Sequence, residues 1–347
     1  MSRRAHAQVR LTDRVRAQTA LFWAACVLLT ASIVLGGGTK QGFFSDTVLQ
    51  LVSIPMLVTA LFKAWENQDQ PQIRSGLLLV SAIAAVPLIQ LIPLPPSIWA
   101  MLPGREHFAR TLDMATGEVP WLAISLDPQA TQQSLLSLAP PVALFVSILL
   151  LGRRERRWLV ALLLVLGAAS VFLGFFQIGS GPRSPLRLFE YTNVLSAVGF
   201  FANRNHFADM LACLIPFIAA WVIAAAAASR RSSLSGGSLA IIILGSLSLI
   251  LLIFIHPLIK SRGGVVLAAI GFTFAGVLAL RYKDRIVRSR RLRKIALVAG
   301  LVSLAVVIGI FLKVFPSFDP EQVDAKRFLI AKTTVDIAWT FAPFGSG

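Results

Sequence analysis

The sequence predicts an all-α fold, a polytopic membrane bundle of about nine transmembrane helices. Three observations predict it. Hydrophobic residues make up 56% of the 347 residues and charged residues only 14%. The mean hydropathy is +0.74. Several segments also approach the length of about 20 apolar residues that a helix needs to cross a bilayer. These values exclude an ordinary soluble domain.

Nine apolar segments are predicted to span the membrane, and short polar loops separate most of them. Residues 1–20 form a basic N-terminus, residues 21–314 the bundle, and residues 315–347 the start of a loop. A longer segment, residues 95–133, contains tryptophans and prolines, which favour an ordered element at the membrane surface. The predicted spans are Leu21–Gly37, Thr47–Ala64, Ser75–Leu94, Ser134–Leu151, Trp158–Ile178, Phe207–Ala228, Ser238–Ile259, Gly264–Leu280 and Ile295–Val314.

The net charge of +17 has a topological explanation. The basic residues lie in short blocks between the spans, where cytoplasmic loops of membrane proteins carry Lys and Arg. With a cytoplasmic N-terminus and an uncleaved first helix, 21 of the 33 basic residues fall in cytoplasmic segments, including the run Arg281–Lys294. The pattern therefore predicts a lipid bilayer as partner, no nucleic acid, and a cytoplasmic N-terminus.

Two polar clusters interrupt the apolar sequence where predicted helices begin. The segment Gly199–Asp209 carries Asn203, Arg204, Asn205 and His206, and the segment Lys260–Gly264 carries Lys260, Ser261 and Arg262. A charge at membrane depth costs about 2.5 to 3.5 kcal/mol on insertion scales, so such clusters indicate a ligand. On the predicted topology both helices begin at the outer face, and we expect the two clusters to meet.

Helix starts of this composition suit an anion. A helix N-terminus offers unpaired amide donors and partial positive charge, and arginine adds a planar fork that matches phosphate oxygens. Gly263 and Gly264 would let an anion approach the backbone closely. The sequence predicts that Arg204, Arg262 and Lys260 hold a pyrophosphate. The alternative is that these basic side chains extend to the lipid headgroups, and this alternative applies most to Lys260. For His206 the alternative is that it caps its helix or packs against neighbouring residues.

Other chemistries lack their motifs. The sequence contains no HExxH, GxSxG or P-loop motif and no paired carboxylates within a span. Cys26 and Cys213 both fall in predicted spans, which leaves neither a disulfide framework nor a CxxC metal site. No internal repeat is visible, which weakens a transporter built from inverted repeats.

The polar clusters resemble motifs of the O-antigen ligase and polymerase superfamily. Residues Gly199–Asp209 are similar to its "F-x-N-x-N-x-x-A" motif, and Lys260–Gly264 resemble its "S-R-G" motif. Residues Ile124–Pro128 with Ala130 and Thr131 resemble its extracytoplasmic segment. Residues Ala342–Gly347 look like the start of its "G-x-G-x-x-F" segment. The resemblance spans essentially the whole chain.

This resemblance implies an enzyme of the bacterial inner membrane. It would transfer a glycan from a polyprenyl diphosphate carrier to an acceptor hydroxyl on lipid A core, a polysaccharide or a protein, without metal or cofactor. Arg204 and Arg262 match the arginines that bind the diphosphate, and Asn203 and Asn205 would hydrogen-bond sugar or phosphate. His206, Lys260 and Ser261 would complete the substrate site.

The resemblance also implies a catalytic histidine, in a loop after the segment that Ala342–Gly347 resemble, and about three further spans. Because this sequence stops at Gly347, we expect a truncated chain that binds the donor but does not transfer it. Transfer by this chain would instead point to His206 as the base.

Two other classes of function stay open. A transporter or flippase of a lipid-linked sugar would also need basic residues around a diphosphate, but it should carry charge at mid-membrane. A structural subunit of an envelope glycan complex should tolerate the loss of Arg204.

The charge distribution generates a topological prediction. Reporter fusions at Ser233 and Ser317 should give opposite signals, Ser233 cytoplasmic and Ser317 extracytoplasmic, because an odd number of predicted spans separates them. Matching signals from the two fusions would overturn the nine-span topology.

Overall fold

Helices form almost all of the regular structure. The computed structural model describes residues 2–38, 44–229, 235–282, 309 and 320–346. One short sheet accompanies the helices, with Pro93 of β1 opposite Ala123 of β2 in an antiparallel pair. In chain order the elements are α1 Ser2–Leu35, α2 Phe44–Glu66, α3 Pro71–Gln90, β1 Pro93–Leu94, α4 Pro96–Trp99, α5 Glu106–Thr116, β2 Leu122–Ala123, α6 Pro128–Ser137, α7 Ala139–Leu150, α8 Arg153–Gly179, α9 Arg204–Ser229, α10 Gly236–Ile259, α11 Arg262–Arg281 and α12 Pro320–Thr340.

The all-α prediction is confirmed, and so are eight of the nine spans. Within the described residues, eight helical stretches are long and apolar enough to cross a membrane. The ninth predicted span, Ile295–Val314, lies outside the described residues apart from Gly309, and so does the basic run after Tyr282. The protein is therefore a multi-pass helical membrane protein. The eight stretches are Gln18–Leu35, Phe44–Glu66, Pro71–Gln90, Pro128–Leu150, Arg153–Gly179, Arg204–Ser229, Gly236–His256 and Arg262–Arg281.

The fourth span consists of two helices rather than one. Helix α6 ends at Ser137 and α7 begins at Ala139, with Leu138 between them. Pro140 and Pro141 lie in the first turn of α7, where their missing N–H groups cost nothing and their fixed φ favours helix. The two prolines thus explain why a new helix starts within one apolar segment.

The chain divides into two compact units. The first comprises residues 1–28, 46–152 and 319–347, and the second comprises residues 29–45 and 153–318. In the first unit, α3 packs against α6 and α7. Ala60, Ala64, Ile73 and Val146 form a buried apolar cluster there. In the second unit, α9 packs against α8, α10 and α11.

Arg105 organises the segment between α3 and α6 in the first unit. Its side chain is 1% exposed, and its Nη2 donates to the carbonyl of Ile124 and, at 3.2 Å, to that of Gly345. The rings of Trp99 and Phe341 lie 5.6 and 5.0 Å from its Cζ. Burial lowers the pKa of the Arg105 guanidinium, because desolvation disfavours the charged form. Arg105 thus joins Ile124, the residue directly after β2, to residues that follow α12.

Two further contacts hold the same C-terminal residues. The Leu126 amide donates to the Ser346 carbonyl at 2.7 Å, and Gln90 Nε2 donates to the Phe344 carbonyl at 3.1 Å. Residues 124–126 and 344–346, which belong to two of the sequence fragments that resemble the ligase superfamily, therefore lie side by side in this unit.

Replacing Arg105 with Ala should loosen this segment. The change leaves the carbonyls of Ile124 and Gly345 without their donor, and an unsatisfied buried group such as the Ile124 carbonyl costs about 1 to 3 kcal/mol. We expect a lower melting temperature in detergent and faster proteolysis after residue 340. Arg110→Ala is the matched control, because its only described ion pair, with Glu106 at 3.7 Å, is exposed and worth about 1 kcal/mol or less. Equal melting temperatures and equal proteolysis rates of the two variants would contradict this role of Arg105.

Candidate functional site

The two polar clusters meet at the N-termini of α9 and α11. The Ser261 hydroxyl donates to Asn205 Oδ1 at 2.9 Å and accepts from the Gly264 amide at 3.0 Å. Ser261 is the N-cap residue of α11 and is 1% exposed. One hydroxyl therefore caps its own helix and joins it to the start of α9. The predicted meeting of the two clusters is confirmed.

A tight connection brings α11 to this position. Helix α10 ends at Ile259, and α11 begins three residues later at Arg262. Lys260 has φ +59°, which a residue other than glycine adopts rarely. A left-handed residue ends a helix and reverses the chain direction. Lys260 thus makes the turn with its backbone, while its side chain is exposed.

Small residues allow α9 and α11 to approach closely. A Cβ added at Gly264 would clash with Ala208 Cβ, and one added at Gly271 would lie 3.1 Å from the Ala212 carbonyl oxygen. Small residues are typical of helix contacts in membranes, where close backbone approach gives the packing energy. Gly264 therefore packs against α9 rather than offering its backbone to an anion. Gly263 is exposed, and an added Cβ there would meet nothing within 4 Å.

The first turn of α9 is capped from two directions. Asn203 Oδ1 accepts from the Asn205 amide at 2.8 Å, which makes Asn203 the N-cap. Asn193 Oδ1 accepts from the Arg204 amide at 2.9 Å. Among the described residues, the amides of His206 and Gly263 have no acceptor. One amide at each helix start is therefore available for an anion.

Helix α8 supports the turn that precedes α9. Gln177 is fully buried, and its Nε2 donates to the carbonyls of Leu186 and Gly199 at 3.1 and 2.8 Å. Its Oε1 accepts from the amides of Val198 and Gly199, so one side chain satisfies four backbone groups. Gly199 has φ +57°, and an added Cβ would strike Ser170 Oγ. Glycine is required there for both reasons.

The predicted site residues gather at these two helix starts. Arg204 and Arg262 are half-buried first residues of their helices, each one residue away from the Asn205–Ser261 hydrogen bond. His206 is exposed in the first turn of α9. Asp209 lies in the second turn of α9, and Asn203 is the residue that caps the helix.

Sequence reasoning missed the residues that support the site. Gln177 and Ser170 lie in the apolar span α8, and the available signal was a polar residue, Gln177, near the end of that span. Asn193 and Ser196 lie in a polar loop, where nothing in the sequence distinguishes them. Ser196 Oγ accepts from Arg204 Nη1 at 3.4 Å. These contacts depend on the folding of residues 180–203 over the ends of α8 and α9.

The arrangement favours an anion over a metal ion. No group of three or more His, Cys, Asp or Glu side chains in the described part of the chain could hold a metal. The site instead combines two arginines, one lysine and two helix N-termini, and all of these attract negative charge.

Fold and site together define a class, a multi-pass all-α membrane protein with a basic site at two paired helix N-termini. No family model, curated protein or solved structure matches the chain.

The Ser261 hydroxyl generates a prediction. Ser261→Ala removes the α11 cap and the bond to Asn205, and we expect a loss of about 1 to 3 kcal/mol in unfolding free energy. Asn205→Ala should add little to Ser261→Ala, since the two share one bond. Thermal unfolding in detergent measures both effects. Thr273→Ala is the control, because this exposed hydroxyl on α11 bonds only the Ala269 carbonyl in its own helix. Additive effects of the two variants would contradict the shared bond.

Proposed function

We propose that this protein transfers a glycan from a polyprenyl diphosphate carrier to an acceptor hydroxyl at the outer face of the bacterial inner membrane. The hydrogen bond between Ser261 and Asn205 is the observation that carries the proposal. It brings two helix N-termini together, and each helix begins with an arginine. The motif resemblance supplies the reaction class, and the geometry supports an anion as the group that is bound.

The diphosphate is the leaving group in this reaction. The bond between the anomeric carbon and a phosphate oxygen breaks, and the electron pair stays on that oxygen. Arg204, Arg262 and the amides of His206 and Gly263 would stabilise the charge that develops there. Guanidinium groups donate two parallel hydrogen bonds to phosphate, which also fixes its orientation.

In this proposal the oxygen and the NH₂ group of each asparagine side chain have different roles. The side-chain oxygens of Asn203 and Asn205 accept hydrogen bonds within the protein, from the Asn205 amide and the Ser261 hydroxyl. Their NH₂ groups are the parts that would donate to a phosphate or to a sugar hydroxyl.

A base must take the proton of the acceptor hydroxyl as the new glycosidic bond forms. The superfamily resemblance assigns this role to a histidine in the loop after the segment that residues 342–347 resemble. Within the chain His206 is the candidate, since it lies beside the proposed diphosphate site. Diphosphate binding and proton removal are separate tasks, so a binding assay tests the proposal without the base.

Exchanging Arg204 or Arg262 for Lys tests the joint site. Lysine keeps the charge but loses the planar fork. We expect each single variant to bind a polyprenyl diphosphate-linked oligosaccharide about tenfold or more weakly, because one charge-assisted hydrogen bond contributes about 1.5 to 3 kcal/mol. The double variant should be little worse than either single variant. Titration of the purified protein in nanodiscs measures these affinities.

Arg281→Lys is the matched control, because Arg281 is the last residue of α11, at the opposite end from Arg262. If the affinity losses of the two single variants multiply in the double variant, the two arginines belong to separate anion sites. A flippase is distinguished in sealed vesicles, where it would move a labelled lipid-linked oligosaccharide across the bilayer. Movement that depends on Arg204 would replace glycan transfer with transport as the function.

A further inference from the structure

Arg187 lies in the connection between α8 and α9 and holds one turn of it together. Its Nη1 donates to the carbonyl oxygens of Asn193 and Ser196 at 3.1 and 3.2 Å. Its Nη2 donates to the Val194 carbonyl oxygen at 2.5 Å. One guanidinium group therefore binds three carbonyls of a four-residue turn, residues 193–196.

The same turn contacts Arg204 at two points. Asn193 Oδ1 accepts from the Arg204 backbone amide at 2.9 Å, and Ser196 Oγ accepts from Arg204 Nη1 at 3.4 Å. Both contacts come from residues whose carbonyls Arg187 binds. The turn therefore lies between Arg187 and Arg204, and it fixes both the backbone and the side chain of Arg204.

The turn has few other sources of rigidity. Residues 180–203 contain no helix or strand. The Asn193 amide donates to the Ala202 carbonyl at 3.1 Å and the Ser196 amide to the Asn193 carbonyl at 3.2 Å. Hydrogen bonds from a charged group are about twice as strong as neutral ones. Burial lowers the pKa of the Arg187 guanidinium by desolvation, but arginine remains protonated at physiological pH.

We propose that Arg187 is a positioning residue of the substrate site, which holds residues 193–196 so that Arg204 faces the diphosphate in a fixed orientation. The part that concerns the diphosphate rests on the proposed function. The part that concerns the order of Arg204 stands on these contacts alone. Arg187 therefore acts through Arg204 and needs no contact with the substrate.

Hydrogen exchange without ligand tests the order of Arg204. In nanodiscs, Arg187→Ala should speed exchange of the amides of residues 193–205 by about tenfold or more, because the Arg204 amide is protected by Asn193. Residues 210–225 of α9 should exchange as in the wild type. Arg183→Ala is the control, since Arg183 is an exposed arginine of the same connection. Unchanged exchange of residues 193–205 in Arg187→Ala would overturn the proposal.

Binding of a polyprenyl diphosphate-linked oligosaccharide tests the action through Arg204. Arg187→Ala should weaken binding about tenfold in the wild-type background and by less than about twofold in the Arg204→Ala background, because residues that act in series are not additive. Arg187→Lys should lie between wild type and Arg187→Ala. Equal losses in both backgrounds would show that Arg187 acts independently of Arg204 and would overturn the proposal.

Two further results distinguish a failure of the proposed function from a failure of the Arg187→Ala variant to fold. If the wild-type chain binds no such oligosaccharide, the proposed function fails, and the exchange experiment alone decides the role of Arg187. If Arg187→Ala does not fold, Ser196→Ala replaces it, since it removes the contact with Arg204 Nη1 and leaves Arg187 in place. Ser196→Ala should then weaken binding only when Arg204 is present, and an equal loss with Arg204→Ala would contradict the proposal.

Discussion

The close contact between α9 and α11 is the constraint on which the site depends. Small residues bring the two helices together, and the Ser261 hydroxyl then bonds to Asn205 across the gap. Each of the two helices begins with an arginine, whose charge adds to the partial positive charge of the helix N-terminus. Like charges repel, so this arrangement costs free energy unless an anion or other acceptors offset it.

Arginines occupy two different kinds of position in this protein. Arg105 and Arg187 donate hydrogen bonds to backbone carbonyls of irregular segments. Arg204 and Arg262 instead begin helices beside the Ser261 hydroxyl. Guanidinium suits both positions, because its several N–H donors are fixed in one plane and it always carries charge. This division accounts for part of the basic charge that the predicted topology leaves outside the cytoplasm.

Irregular backbone near a membrane must have its polar groups satisfied by the protein or by water. The connection before α9 meets this requirement with side chains. Gln177 binds four backbone groups of the connection, and Ser170 Oγ accepts from the Phe200 amide at 3.1 Å. These bonds hold Gly199 in its left-handed conformation and set where α9 begins. Side chains of α8 therefore support the backbone just before the candidate site.

The sequence by itself determined the all-α class and eight spans, because apolar runs about 20 residues long have one stable form in lipid. It also located both polar clusters, since charged residues stand out against apolar neighbours. The sequence did not reveal that Gly264 packs against Ala208 or that Asn193 and Ser196 hold Arg204. It also did not reveal that Arg105 joins Ile124 to Gly345. Only the tertiary structure decided these contacts, because each joins residues from different helices or loops, and local patterns carry no information about which distant residues meet.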